Sequence, residues 1–188
     1  MYRQCTTEKT AQQQQIFYKA LYSAMQEHLY EDISITDLCT QTGLSRNIFY
    51  RLFDCKDDVL YAFIDNCFYE CSRQIHSTTT KDGLKSFFEF WKSEKDLITI
   101  LEKNHLESLL PIRAVLCCCR MDFGMHKFIV DDWNNYNIEI IAFYANGFMG
   151  LIFQWYHNNF SRSVEEMCEI SQQILNFPPI SFDEPIKR

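Results

Sequence analysis

Glycine and proline are scarce, at five and four in 188 residues, and no alternating apolar and polar run bounded by turn residues occurs. A sheet protein with many tight turns is thereby excluded, and all-α is the natural class. Also missing are a glycine-rich phosphate loop, a nucleophile elbow, and any paired-carboxylate or His/Glu metal motif at helical spacing. The sequence therefore reads as that of a protein without enzymatic activity, with no catalytic residue, cofactor or metal. No apolar targeting core stands in the opening residues, so the chain is expected to be cytoplasmic, with no membrane partner. The most apolar run, Ile140 to Phe153, is broken by Asn146 and falls short of the ~20 residues a bilayer span needs. It reads as a buried helix.

A basic excess is absent too. From Met1 to Lys56 the bases Arg3, Lys9, Lys19, Arg46, Arg51 and Lys56 are matched by Glu8, Glu27, Glu31, Asp32, Asp37 and Asp54, so the rest of the chain carries the whole formal charge of −7. Such a body repels phosphate, which excludes indiscriminate nucleic-acid binding and leaves only site-specific, salt-sensitive binding through a locally basic face. Nine cysteines are many for this length, yet a reducing compartment makes them thiols. Cys117, Cys118 and Cys119 diverge by about 100° each on a helix and do not converge on one metal. Cys67 and Cys71 lie one turn apart without a motif to complete a site, so core filling is the default for these, as for Cys39 and Cys55.

What is present begins at Ile33. Ser34 with Asp37 forms a capping-box start for a helix from about Ile35, Leu38 follows one turn on, and Gly43 supplies the residue able to close the helix with a positive φ. Ser45 is a preferred N-cap for a second helix, with Leu44, Phe49, Leu52 and Phe53 toward a core and Arg46, Asn47, Tyr50 and Arg51 outward. This is the pattern of a helix-turn-helix, which makes double-stranded DNA the leading partner. Upstream, Ile16, Ala20, Leu21, Ala24 and Met25 mark an amphipathic helix ending near His28; downstream, Lys56 opens a long connector helix that reaches about His76 and is where a signal would travel.

From Ile16 to about Ile64 the chain resembles the TetR/AcrR family of bacterial transcriptional regulators, most specifically over Gly43 to Phe53 and Cys55 to Leu60. The resemblance implies that Arg46 and Asn47 read bases, that Tyr50 packs on the DNA backbone and that Lys56 starts a helix touching a phosphate. With Thr36, Ser45, Ile48 and Arg51 these are the candidate DNA-binding residues. The chain departs from the family at Ile48, where a small hydroxyl residue is usual, and at Leu52, often His, so one phosphate contact and one polar contact are missing. The Gly147 to Trp155 segment is similar to the carboxy-terminal region of a subgroup that includes dihydroxyacetone kinase operon regulators.

Residues 1–56 thus read as the DNA-binding domain and 57–188 as a helical effector-binding and dimerisation domain. In the latter, short amphipathic helices are expected around Leu84 to Trp91 and Leu97 to Leu101, either side of polar breaks at Ser77 to Asp82 and Ser93 to Asp96. Another runs from Leu106 to about Met121, kinked or restarted at Pro111; a loop with a short helix near His126 to Trp133 follows. The last two helices carry broad apolar faces, and Gly147 and Gly150 admit a close helix neighbour. Ala142, Gly147, Gly150, Phe153, Met167, Ile170 and Ile174 are the candidate homodimer interface, which the resemblance also implies. Phe63, Cys67, Phe87, Trp91, Tyr136, Phe143 and Tyr144 are the candidate pocket for the small-molecule effector that the resemblance implies, although aromatics at helical spacing are more often core. The functional reading is a homodimeric regulator, a repressor that binds a palindromic operator. The alternative is a helical dimeric protein-interaction module with a weakened DNA reader.

Overall fold

The computed structural model of the chain describes Tyr2 and residues 7–75, 80–120 and 138–176, and these are helical with no strand. In order they form α1 (Glu8–Glu27), a 3-10 turn (Tyr30–Asp32), α2 (Ile35–Thr42), α3 (Arg46–Leu52), α4 (Lys56–Gln74), α5 (Thr80–Ser93), α6 (Lys95–Lys103), α7 (Leu109–Arg120), α8 (Ile138–His157) and α9 (Val164–Leu175). The expected loop and short helix near residue 130 lie outside the described residues.

Helix boundaries follow from capping. Ser34 and Ser163 each form a complete box with Asp37 and Glu166, so α2 and α9 begin where the sequence places them. Breaks between later helices are tighter than the sequence implies: α5 starts within the polar stretch, and only Glu94 separates it from α6. Helix α7 starts at Leu109, which puts Pro111 in the first turn, where its missing amide has no intrahelical partner to lose and no kink is needed.

Helices α6 and α8 end in the same way without glycine. After α6, His105 takes φ 57° while its amide bonds the Glu102 carbonyl and the Leu106 amide bonds that of Leu101. After α8, Asn159 and Phe160 both take φ 51°, with amides on Tyr156 and Trp155, and the Phe160 ring closes on Trp155 at 4.8 Å. These are Schellman turns, in which a left-handed residue lets the chain satisfy the last carbonyls. Since the left-handed region costs a residue with a Cβ about 1 kcal/mol or more, His105→Gly should stabilise the protein by about 0.5–1 kcal/mol and raise Tm by roughly 2 °C. A fall in Tm would assign the exposed His105 side chain a packing role instead.

A single buried cluster runs through the described helices. On α1 its stripe is Phe17, Leu21 and Met25 with Gln13 and Gln14, whereas Ile16, expected inward, is 43% exposed because it lies off that stripe. Helix α4 packs on α1 and α7, α7 runs along α8, and α9 lies on α5. Between α4 and α7 sits an ion pair that the sequence does not announce. The guanidinium of Arg113 grips both oxygens of Asp65, Nε at 2.6 Å, with both residues buried. The Tyr2 hydroxyl donates to Asp65 at 2.5 Å and the Cys117 thiol approaches it at 3.4 Å.

Burial in the body departs from the helical pattern in two places. Trp91 is wholly buried and Phe87 and Cys67 nearly so, packed against Phe68, Phe88 and Phe148, while Phe143 is 73% exposed and Tyr136 lies outside the described residues. Among the described effector candidates Cys67, Phe87 and Trp91 thus belong to the core, whereas Phe143 and Tyr144 line a groove between α8 and α9 with Phe148 and Ile174. Phe63 stacks on Tyr18 at 5.6 Å, joining α4 to α1.

The second departure concerns α8 and α9. Helix α8 has 20 residues and is long and apolar enough to cross a membrane, longer than the apolar run implied, and only 28% of its most apolar window is buried. Phe143, Gly147, Gly150 and Gln154 face outward, and a Cβ on either glycine would meet nothing within 4 Å. Ala142 and Phe153 are half-buried beside them, as is Ile170 on α9, where Ile174 is 50% exposed. Met167, by contrast, is 4% exposed and belongs to the core with Cys168, because it faces α5. Buried cysteines at positions 39, 67, 71, 117 and 168 behave as small apolar residues, with burial pushing the Cys67 and Cys71 thiols up; Cys55, expected to be structural, is exposed.

Candidate nucleic-acid interface

The unit formed by α2, the turn at Gly43 and α3 is built from local polar contacts over an aromatic floor. Ser34 Oγ accepts from the Asp37 amide at 3.1 Å, which fixes the start of α2, and the Asp37 carboxylate accepts from the Ser34 hydroxyl at 2.6 Å and the Ser34 amide at 2.9 Å, which lowers its pKa. Gly43 takes φ 67°, where any Cβ would be strained. Thr42 donates its hydroxyl to the Leu38 carbonyl at 2.7 Å and accepts from the Leu44 amide at 3.3 Å, pinning the turn. Ser45 then caps α3, accepting from the Ile48 amide at 3.3 Å.

Beneath α3, Phe49, Phe17 and Phe53 form a fully buried triangle with ring centroids 5.3–5.9 Å apart, and Leu52 adds to it. Each such ring contributes about 1.5–3 kcal/mol by burial. That floor holds the outer side of α3 away from the protein. Arg46 and Asn47 are exposed on its first turn, and Tyr50 is 44% exposed with its ring edge on Phe49. Thr36 and Ser45 are exposed on the same unit, while Ile48 is half-buried against the core.

Two of the expected contacts are turned elsewhere. Arg51 Nη2 donates to Oε1 of the buried Gln13 at 2.9 Å, tying α3 to α1. Lys56 Nζ donates to the carbonyls of Tyr30 at 2.5 Å and Ile33 at 2.7 Å, and lies 4.2 Å above the Tyr30 ring. Burial lowers the pKa of its ammonium. Gln13 is a sequence signal that was passed over: a polar residue one turn before Phe17, on the apolar stripe, needs a partner from another helix.

No family model and no curated protein matches the sequence. Solved structures do match the fold. A TetR transcriptional regulator from Streptococcus agalactiae 2603V superposes with a TM-score of 0.63 at 16% identity, covering 89% of this chain and 95% of its own. The fold is that of the TetR-type regulators. The dihydroxyacetone kinase operon activator DhaS superposes on the TetR-like fold with a TM-score of 0.51 at 18% identity, over 86% of this chain and 93% of its own. The fatty acid degradation regulator FadR from Bacillus halodurans gives 0.51 at 13% identity, over 87% and 98%. All three neighbours are described as regulators or activators of transcription, an operon or a degradation route, and each shares the fold at under 20% identity.

Proposed function

We propose that this protein is a homodimeric, cytoplasmic DNA-binding transcriptional regulator, acting as a repressor, with residues 1–56 as reader and 57–188 as effector and dimerisation body. The observation that carries the proposal is the outward presentation of Arg46, Asn47 and Tyr50 by a capped, seven-residue α3 seated on buried aromatics. A short helix held rigidly with polar and basic side chains outward fits the major groove, where arginine and asparagine have bidentate partners on base edges. Two copies joined through α8 and α9 would present two such helices to a palindromic operator. An effector that favours one conformation of the body would change the separation of the readers and release DNA.

Fluorescence anisotropy with the protein's own upstream DNA against a scrambled duplex, at two salt concentrations, tests this. Preferential, salt-dependent binding is expected, and Arg46→Ala or Tyr50→Ala should weaken it by about 1–3 kcal/mol without unfolding the protein. Equal weak binding to both duplexes would favour the protein-interaction alternative, in which the reader has lost its DNA contacts. Salt dependence separates the basic residues. A lysine or arginine on a phosphate contributes about one unit to the slope of log affinity against log salt, whereas Arg51→Gln should change that slope by much less because Arg51 is held by Gln13. A full-unit change would show that Arg51 leaves Gln13 for the DNA.

A further inference from the structure

The 3-10 turn at Tyr30–Asp32 lies between α1 and α2 and has the most crowded set of polar contacts outside the ion pair at Asp65. Every polar group of Tyr30 is engaged, its amide by the end of α6 and its carbonyl and hydroxyl by the first turn of α4. Its amide donates to Asn104 Oδ1 at 2.6 Å, at the end of α6. Its carbonyl accepts from Lys56 Nζ at 2.5 Å, and its hydroxyl donates to Asp57 Oδ1 at 2.5 Å, both in the first turn of α4. Asn104 is itself oriented, since its Nδ2 donates to the Ile100 carbonyl at 2.7 Å. One turn of the reader is thus tied to the connector and to the body at a single residue.

Helix α6 is held at its other side by α8. Thr99 Oγ1 and the Tyr156 hydroxyl share a hydrogen bond of 2.9 Å, and Glu102 Oε1 meets His157 Nε2 at 2.5 Å. The Schellman turn at His105 ends the helix immediately after Asn104, so the amide that receives Tyr30 sits at a fixed place relative to α8. A chain of contacts therefore runs from the exposed face of α8 through α6 to the turn that precedes α2. It is separate from the α4 connector, which reaches the same tyrosine from the other side.

We infer that Asn104 is a positioning residue: by holding the Tyr30 amide it sets the angle of the reader against α8, and hence the half-site separation that a dimer accepts. The inference rests on the proposed DNA-binding dimer. Asn104 lies in the body and its hydrogen bond to the reader is made at Tyr30, away from α3, so its influence falls on spacing and not on which bases are read. Sequence offers little sign of it, because a polar residue at a helix end is ordinary on its own.

Selection of duplexes from a random library by the full-length protein, followed by sequencing, tests the inference. The parent should enrich a palindromic pair with one preferred separation. Asn104→Ala should enrich the same half-site with its preference for that separation reduced roughly fivefold, the effect of one lost partly buried hydrogen bond. Asn104→Asp keeps the acceptor for Tyr30 and should restore the parental preference. A folded Asn104→Ala that keeps the parental separation, changes the half-site sequence or enriches nothing overturns the inference, as does an Asn104→Asp no better than Asn104→Ala. If Asn104→Ala does not fold, Asn104→Ser, which withdraws the Oδ1 acceptor from the Tyr30 amide while keeping a polar side chain at the helix end, takes its place; unchanged separation preference then overturns the inference. A parent that enriches no sequence overturns the DNA-binding reading itself.

Discussion

Replacing Asp65 by alanine should cost about 3–5 kcal/mol of folding stability, the largest single effect expected anywhere in this chain. The reason is what the carboxylate leaves behind. Arg113 is 7% exposed, and its guanidinium has the 5.1 Å contact with the Tyr61 ring as its other neighbour of note. Without Asp65 it becomes a buried cation with no counter-charge, and the Tyr2 hydroxyl loses its acceptor at the same time. Removing both members of the pair is a different matter, because no charge is then stranded. Asp65→Leu combined with Arg113→Met should recover most of the loss. Urea unfolding of the two single variants and the double variant measures this directly. Additive losses in the double variant would mean that Asp65 and Arg113 act independently.

Gly150→Glu should weaken the proposed dimer by about 3 kcal/mol, or more than a hundredfold, since it places a charge in a closed helix contact without a partner. Within one chain Gly150 has open space around it, and so does Gly147. Glycine inside a helix costs about 1 kcal/mol relative to alanine, and the isolated fold offers no packing in return at either position. Gly147→Ala and Gly150→Ala should therefore stabilise the monomer while loosening the dimer. Sedimentation equilibrium with thermal unfolding separates the two effects. A lipid-facing role suits this face less well, because Asn146 and Gln154 expose amides beside the glycines. Alanine variants that tighten association would move the contact to another face of α8.

Local signals made the reader legible from sequence. Ser34 with Asp37, Gly43 and Ser45 are each short-range devices whose effect is complete within a few residues, so the start of α2, the positive φ and the cap of α3 all lie where they are expected. Long-range pairing was not legible. Arg51 and Gln13 are 38 positions apart and Arg113 and Asp65 are 48 apart; nothing at either end specifies the other. The same limit applies to the aromatics. Phe87 and Phe143 look alike in a helical pattern, yet one is 5% and the other 73% exposed, because neighbouring helices and not periodicity decide which stripe is covered. Apolar periodicity also hid the state of α8: an apolar helix reads as buried, whereas this one buries one face and leaves the other exposed.

The engagement of Lys56 and Arg51 within the chain also bears on how the proposed regulator would find its target in a cell. Sliding along a chromosome depends on loose attraction to phosphate, and the energy of each such encounter comes from mobile cations at the surface. Lys56 and Arg51 are held by carbonyls and by Gln13, which leaves fewer mobile cations for such encounters on the recognition side. In the proposed regulator a larger share of copies would then stay in free solution, and the search would rely more on three-dimensional encounters than on sliding.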